Sequence, residues 1–145
     1  GRIKEKVKQY GLTDTVLLPG WQDKLAIGRF FSIASIFLVS LSDNEVLNIT
    51  IPGKIPTYMM AGKPIISFMN GIGASIITES GAGISVEAGN YKGLAEAVKQ
   101  LYGLDEEELH HMGQNAVQYC RNKFSKEILI NELEEILCRG YQTPE

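Results

Sequence analysis

Cysteine is nearly absent from this sequence: only Cys120 and Cys138 occur, which excludes a small fold held together by disulfides. Neither belongs to a CxxC pair, and His110-His111 lies too far from both for metal-ligand spacing. Both read as reduced thiols packed as small apolar side chains, in keeping with a reducing compartment. Long apolar runs are missing as well, none approaching the ~20 residues that span a bilayer. Positive charge is not in excess. Lys and Arg number 14 against 17 Asp and Glu, for a net charge of −3 and a pI near 5.5, so no basic field exists to hold a nucleic acid. The aspartates, Asp14, Asp23, Asp43 and Asp105, are scattered without a DxD. A carboxylate-held Mg²⁺ or Mn²⁺ is therefore not expected, nor any other cofactor. Two nucleotide fingerprints are lacking: there is no GxxxxGK followed by Ser or Thr, and no GxGxxG. Gly71-Ile72-Gly73 comes nearest and reads as a turn. Finally, Gly1-Arg2-Ile3-Lys4 has no initiator Met and no signal peptide, and reads as the start of an excised piece.

What is present is ordinary for a globular chain: 145 residues, 44% hydrophobic, 21% charged, with 15 Gly and 5 Pro. Mean hydropathy is −0.04. This suits one domain with its own core and excludes a disordered tail or a collagenous repeat. Residues 2–10 have helical spacing (Ile3, Val7, Tyr10) and stop at Gly11. Val16-Leu17-Leu18, before Pro19-Gly20, reads as a short buried strand. Residues 25–33 are helical again, and residues 35–39 form a near-continuous apolar run, as in a strand covered on both faces. A polar loop over residues 40–50 follows.

Residues 54–61 read as a helix closed by Gly62, residues 64–68 as a strand, 74–80 as a helix and 83–86 as a strand. Asn90 is placed to cap a helix whose buried stripe is Leu94, Val98 and Leu101. Asp105 opens another through a capping box with Glu108. Ser125 opens the last, which carries Leu129, Leu133, Ile136 and Leu137. Four apolar strands alternating with helices predict an α/β fold. The expected architecture is a Rossmann-like, doubly wound parallel sheet with a helical C-terminal segment and no interdomain linker.

In such sheets ligands bind beyond the carboxyl ends of the strands. The richest loop there is Ile51-Pro52-Gly53-Lys54, opening a helix with Pro56 in its first turn. A helix start presents unpaired N–H groups and a partial positive charge. Gly53 lets an anion approach the backbone, and Lys54 adds a full charge. By itself this is also an ordinary entry to a helix with a solvated lysine.

The run Pro52-Gly53-Lys54-Ile55-Pro56-Thr57-Tyr58-Met59-Met60-Ala61-Gly62-Lys63-Pro64-Ile65 resembles a family motif. It is similar to the Pro-(Ser/Gly)-Lys-(Leu/Ile)-x-(Thr/Glu)-Tyr-x-x-x-Gly-Lys-Pro-(Ile/Val) motif of bacterial group 1 glycosyltransferases that build capsules, O-antigens and exopolysaccharides. Val16-Leu17-Leu18-Pro19-Gly20-Trp21, Ala34-Ser35-Ile36-Phe37-Leu38-Val39, Glu79-Ser80-Gly81-Ala82-Gly83-Ile84 and Phe124-Ser125-Lys126-Glu127 resemble further elements of that family. Ser35 stands where the family usually has Asp. The resemblance implies a retaining GT-B enzyme built of two facing Rossmann-like halves. This chain would be the C-terminal half, binding a nucleotide-sugar donor (a UDP-sugar), with an N-terminal acceptor domain missing. A polysaccharide or lipid-linked acceptor and a cytoplasmic location, peripheral to the inner face of the membrane, follow from the same resemblance.

Carried over to these positions, Gly20, Trp21 and Gln22 would meet the nucleobase, while Gly53, Lys54 and Ile55 would meet the diphosphate. Lys54 is the catalytic candidate. Thr57 stands where relatives carry a ribose-binding glutamate. The superfamily's pair of glutamates eight positions apart is lacking, with Ile49 and Thr57 in their places, so the donor-sugar candidates become Asn44, Glu45, Asn48 and Thr50. The family's diphosphate-gripping basic pair sits in a first strand–helix unit that this sequence does not display, and Arg2 is no obvious substitute. Two other classes fit the elements less well. A GT-B-type nucleotide-sugar epimerase would need acidic groups in the donor loop. A non-catalytic α/β nucleotide-binding or receiver-like module would need, in the receiver case, a phosphoacceptor aspartate in an acidic cluster.

Overall fold

The computed structural model describes residues 1–140. The chain divides into two compact units, Gly1–Ile33 and Ala34 onward, although composition marks no boundary there. The first unit contains α1 (Arg2–Gln9) and α2 (Lys24–Ile33). Gly11 closes α1 in the left-handed region, at φ +65°. Residues 16–18 do not form the expected strand. The Val16 N–H is drawn into a local turn on the Leu12 carbonyl at 2.8 Å, and Leu17 is 79% exposed. An apolar triplet becomes a strand only where a ladder partner takes up its backbone groups, and among the described residues none does.

The second unit holds β1 (Phe37–Ser40), α3 (Glu45–Asn48), α4 (Lys54–Met60), β2 (Ile65–Phe68), α5 (Ile72–Glu79), β3 (Gly83–Val86), α6 (Tyr91–Tyr102), α7 (Glu106–Phe124) and α8 (Lys126–Gly140). Its three strands are parallel in the order β1-β2-β3, with Phe37 opposite Ile65 and Ile65 opposite Gly83. Alternation along the strands separates two faces. On one face Ile66 and Val86 pack with Ala97 and Leu101 of α6, flanked by Phe68, Ile84, Leu94, Leu109 and Met112.

On the other face Phe37 stacks on Tyr58 of α4, with ring centroids 4.5 Å apart. There the buried Ser67 hydroxyl donates to Ser85 Oγ at 2.8 Å, and Ser85 Oγ donates to the Ala74 carbonyl of α5 at 2.7 Å. Helices cover both faces of the central strand, so the sheet is doubly wound as the sequence predicts. Among the described residues, no helix is long and apolar enough to cross a membrane.

The three predicted caps form. The Asn90 side chain accepts from the Gly93 N–H, and Asp105 and Glu108 make a reciprocal capping box. Ser125 Oγ accepts from the Ile128 N–H at 3.4 Å. Two expectations of burial are corrected. Leu38 is 50% exposed, because β1 is an edge strand and its outward face lacks the cover that the apolar run suggested. Val98 is 47% exposed, and Ala97 takes its place on the buried stripe with Leu94 and Leu101. Leu129, Leu133, Ile136 and Leu137 line an exposed side of α8. The helical turn over residues 45–48 also replaces part of the expected loop.

The cysteines part company. Cys120 is buried on α7, its thiol donating to the Pro56 carbonyl at 3.6 Å, and burial pushes its pKa up. Cys138 is exposed rather than packed. Since the thiolate is the reacting species, Ellman's reagent should titrate Cys138 promptly in the native chain and reach Cys120 only on adding denaturant. Prompt reaction of both thiols would contradict this packing.

Candidate functional site

The carboxyl ends of the three strands converge on loops from distant parts of the sequence. After β1 the Leu41 N–H still reaches the Phe68 carbonyl, at 3.2 Å. The chain then turns through Asp43 into α3, capped by Asn44, whose side chain accepts from the Val46 N–H at 2.9 Å. Asn48 Nδ2 donates to Asp43 Oδ1 at 3.0 Å. Hydrogen bonds from Asn48 and then Asn70 hold the Asp43 carboxyl below its ordinary pKa. Asn70, just beyond β2, accepts the Ala88 N–H from beyond β3 at 3.1 Å. One polar network thus joins the loops that follow all three strands.

Gly71 locks this junction. It has φ +79° and ψ −154°, a region open essentially to glycine alone. A Cβ there would run into the backbone carbonyl of Asn48.

At the entry to α4, Gly53 is the N-cap, with φ −58°, and both Gly53 and Lys54 are exposed. Among the described residues no hydrogen bond draws on the Gly53 or Lys54 N–H, so both point to whatever lies at the helix start. Ile55 differs from this pair. Its side chain is fully buried in the core and its N–H is spent on the Pro52 carbonyl at 2.9 Å. Thr57 is exposed, and its hydroxyl donates back to the Gly53 carbonyl at 2.8 Å. With its proton committed there, the hydroxyl oxygen keeps only acceptor capacity.

Of the donor-sugar candidates, Asn44 caps α3, Asn48 holds Asp43, and Thr50 Oγ1 donates to the Val46 carbonyl at 2.6 Å. Glu45 stands exposed in the first turn of α3. Gly20, Trp21 and Gln22 belong to the first unit. There Gly20 has φ +76°, Gln22 Nε2 donates to the Pro19 carbonyl at 3.0 Å, and Trp21 is 88% exposed.

Sequence reasoning passed over the residues that line the cleft at the strand ends. A space of about 420 Å³ opens there between Ser40, Ser42, Asp43, Phe68, Gly89 and Tyr91. The Phe68 and Tyr91 rings sit 5.5 Å apart, tilted by 47°. The available signal was position, since each of these residues ends a strand or follows one. Among the described residues, no three His, Cys, Asp or Glu side chains gather to hold a metal ion.

Known proteins share this architecture. The chain is 23% identical over 139 residues to the inferred colanic acid biosynthesis glycosyltransferase WcaL of Escherichia coli K12, covering 94% of this chain and 34% of WcaL. It thus spans about one third of that relative's length. A glycosyltransferase of Rickettsia africae superposes with a TM-score of 0.82 at 19% identity, over 99% of this chain and 36% of that one. Alr3699/HepE of Anabaena, solved in complex with UDP and glucose, gives 0.78 at 19% identity over 95% of this chain and 36% of its own. These two structures establish a common fold. The sequence profile described as glycosyl transferases group 1 matches residues 1–119, and the chain belongs to that family.

Proposed function

We propose that this chain is the donor-binding half of a retaining glycosyltransferase. In this reading a sugar moves from a nucleotide diphosphate, UDP by preference, to a polysaccharide or lipid-linked acceptor. The observation that carries the reading is the entry to α4. Two uncommitted backbone N–H groups, those of Gly53 and of the exposed Lys54, open α4 on the crossover that leaves the carboxyl end of β1. Anions are held at such a place by N–H dipoles and a mobile cation. The structure of Anabaena HepE with UDP and glucose supports the ligand class.

When the sugar–phosphate bond breaks, negative charge grows on the leaving diphosphate. Donors already aimed at that charge lower the barrier without reorganising. Lys54 and the Gly53 and Lys54 N–H groups supply that stabilisation. Ile55, its N–H already bonded, shapes the helix start from within the core. Thr57 accepts from a ribose hydroxyl, and Glu45 is the most available donor-sugar contact. Acceptor recognition falls to the remainder of the whole protein, which works in the cytoplasm at the membrane's inner face, where lipid-linked acceptors are presented.

The test is transfer by the whole protein from a panel of nucleotide-diphosphate hexoses, with the new anomeric centre assigned by NMR. The expected product keeps the donor's configuration. An inverted product would overturn retention, and epimerised nucleotide sugar without transfer would overturn the reaction class.

A further inference from the structure

We propose that the cleft between Asp43 and Tyr91 is a pyranose-binding subsite, holding one sugar ring apart from the diphosphate site at Gly53 and Lys54. The inference rests on the reading of this family member as a sugar-transferring domain and deepens it. A pyranose presents an apolar face of C–H groups and a rim of hydroxyls. It is matched by an aromatic face together with fixed, charged acceptors.

Both are present. Tyr91 is 74% exposed, yet its position is set. It opens α6, its N–H bonds the Gly89 carbonyl at 3.0 Å, and its ring leans on Phe68. Asp43 is set equally firmly. The Ala88 N–H donates to Asn70 Oδ1, which fixes the amide so that its NH₂ turns to the Asp43 carboxylate. Asn48 Nδ2 donates to the same carboxylate.

An ionised carboxylate has about four acceptor sites. Two amide donors leave about half of them for a pair of neighbouring hydroxyls, through charge-assisted hydrogen bonds. Both amides favour the ionised form of the carboxyl. Ser40 and Ser42 add hydroxyls on the same wall. The volume of about 420 Å³ falls within the ~300–1,000 Å³ of small-ligand sites. The sugar comes either from the donor or from the acceptor's terminal residue, since both present the same chemistry.

The experiment titrates the 145-residue chain with methyl glucoside, methyl galactoside, methyl mannoside, UDP-glucose and UDP alone, following the Tyr91 ring and the Asn70 side-chain amide by NMR. Sugar-bearing ligands should move both signals, and UDP alone should leave them in place. Asp43→Asn and Tyr91→Ala should each weaken the sugar at least ~10-fold, the worth of one charge-assisted bond or its equivalent in contact, while Tyr91→Phe keeps the affinity. Movement with UDP-glucose alone assigns the cleft to the donor's sugar, and movement with a methyl hexoside alone to the acceptor's. Signals unmoved by every sugar, or affinities unchanged in Asp43→Asn and Tyr91→Ala, would overturn the subsite. UDP shifts at Gly53 and Lys54 are read in the same spectra, so loss of the subsite is separable from loss of the donor-binding reading.

Discussion

Replacing Gly71 by alanine is expected to cost the fold about 3 kcal/mol, the sum of backbone strain and a steric displacement. For a chain of this size that lowers Tm by roughly 10 °C. The cost has two sources. At φ +79° and ψ −154° an L side chain is strained whatever space surrounds it. The new Cβ would also collide with the Asn48 carbonyl, backbone that cannot swing aside as a side chain can. Displacing Asn48 loosens its bond to Asp43 and with it the join between the strand-end loops. Gly53 makes the contrast: its φ is −58° and a Cβ there meets nothing within 4 Å. Gly53→Ala should leave stability within about 0.5 kcal/mol. Thermal unfolding of both variants decides the point, and equal Tm values would contradict the close approach at Gly71.

Lys54→Ala should weaken UDP binding by roughly 10- to 100-fold, the range for losing a hydrogen bond from a charged group. Tm should hardly change, because Lys54 is exposed and sits on a helix whose burial rests on Ile55 and Met59. Calorimetric titration of both proteins with UDP measures the ratio. Lys54→Arg should recover part of the affinity, since the charge is kept while its reach and shape differ. An unchanged affinity in Lys54→Ala would remove the lysine from the diphosphate site.

Local signals were read well from the sequence. The Asn90 cap, the Asp105–Glu108 box, the buried run of β2 and the strand β3 each depend on residues within a turn or two of one another. What failed was context. Val16-Leu17-Leu18 has the composition of a strand, but its outcome depends on a distant ladder partner, and a local turn on Leu12 takes the first N–H instead. Leu38 and Val98 are apolar by pattern and exposed by position at the sheet edge and helix flank.

The site divides the same way. The helix start at Gly53 and Lys54 was legible because loop and helix adjoin in sequence. Asp43, Asn70 and Tyr91 were not, because three loops meet only after the parallel strands have aligned. Asp43 in particular looked like one scattered aspartate among four.

The most direct test of the central claim is a UDP titration of the 145-residue chain, mapped by backbone amide shifts. Donor binding at the start of α4 predicts saturable shifts at Gly53 and Lys54, with Thr57 following and the amides of α8 unmoved. Shifts confined to other parts of the chain, or none at millimolar UDP, would contradict it.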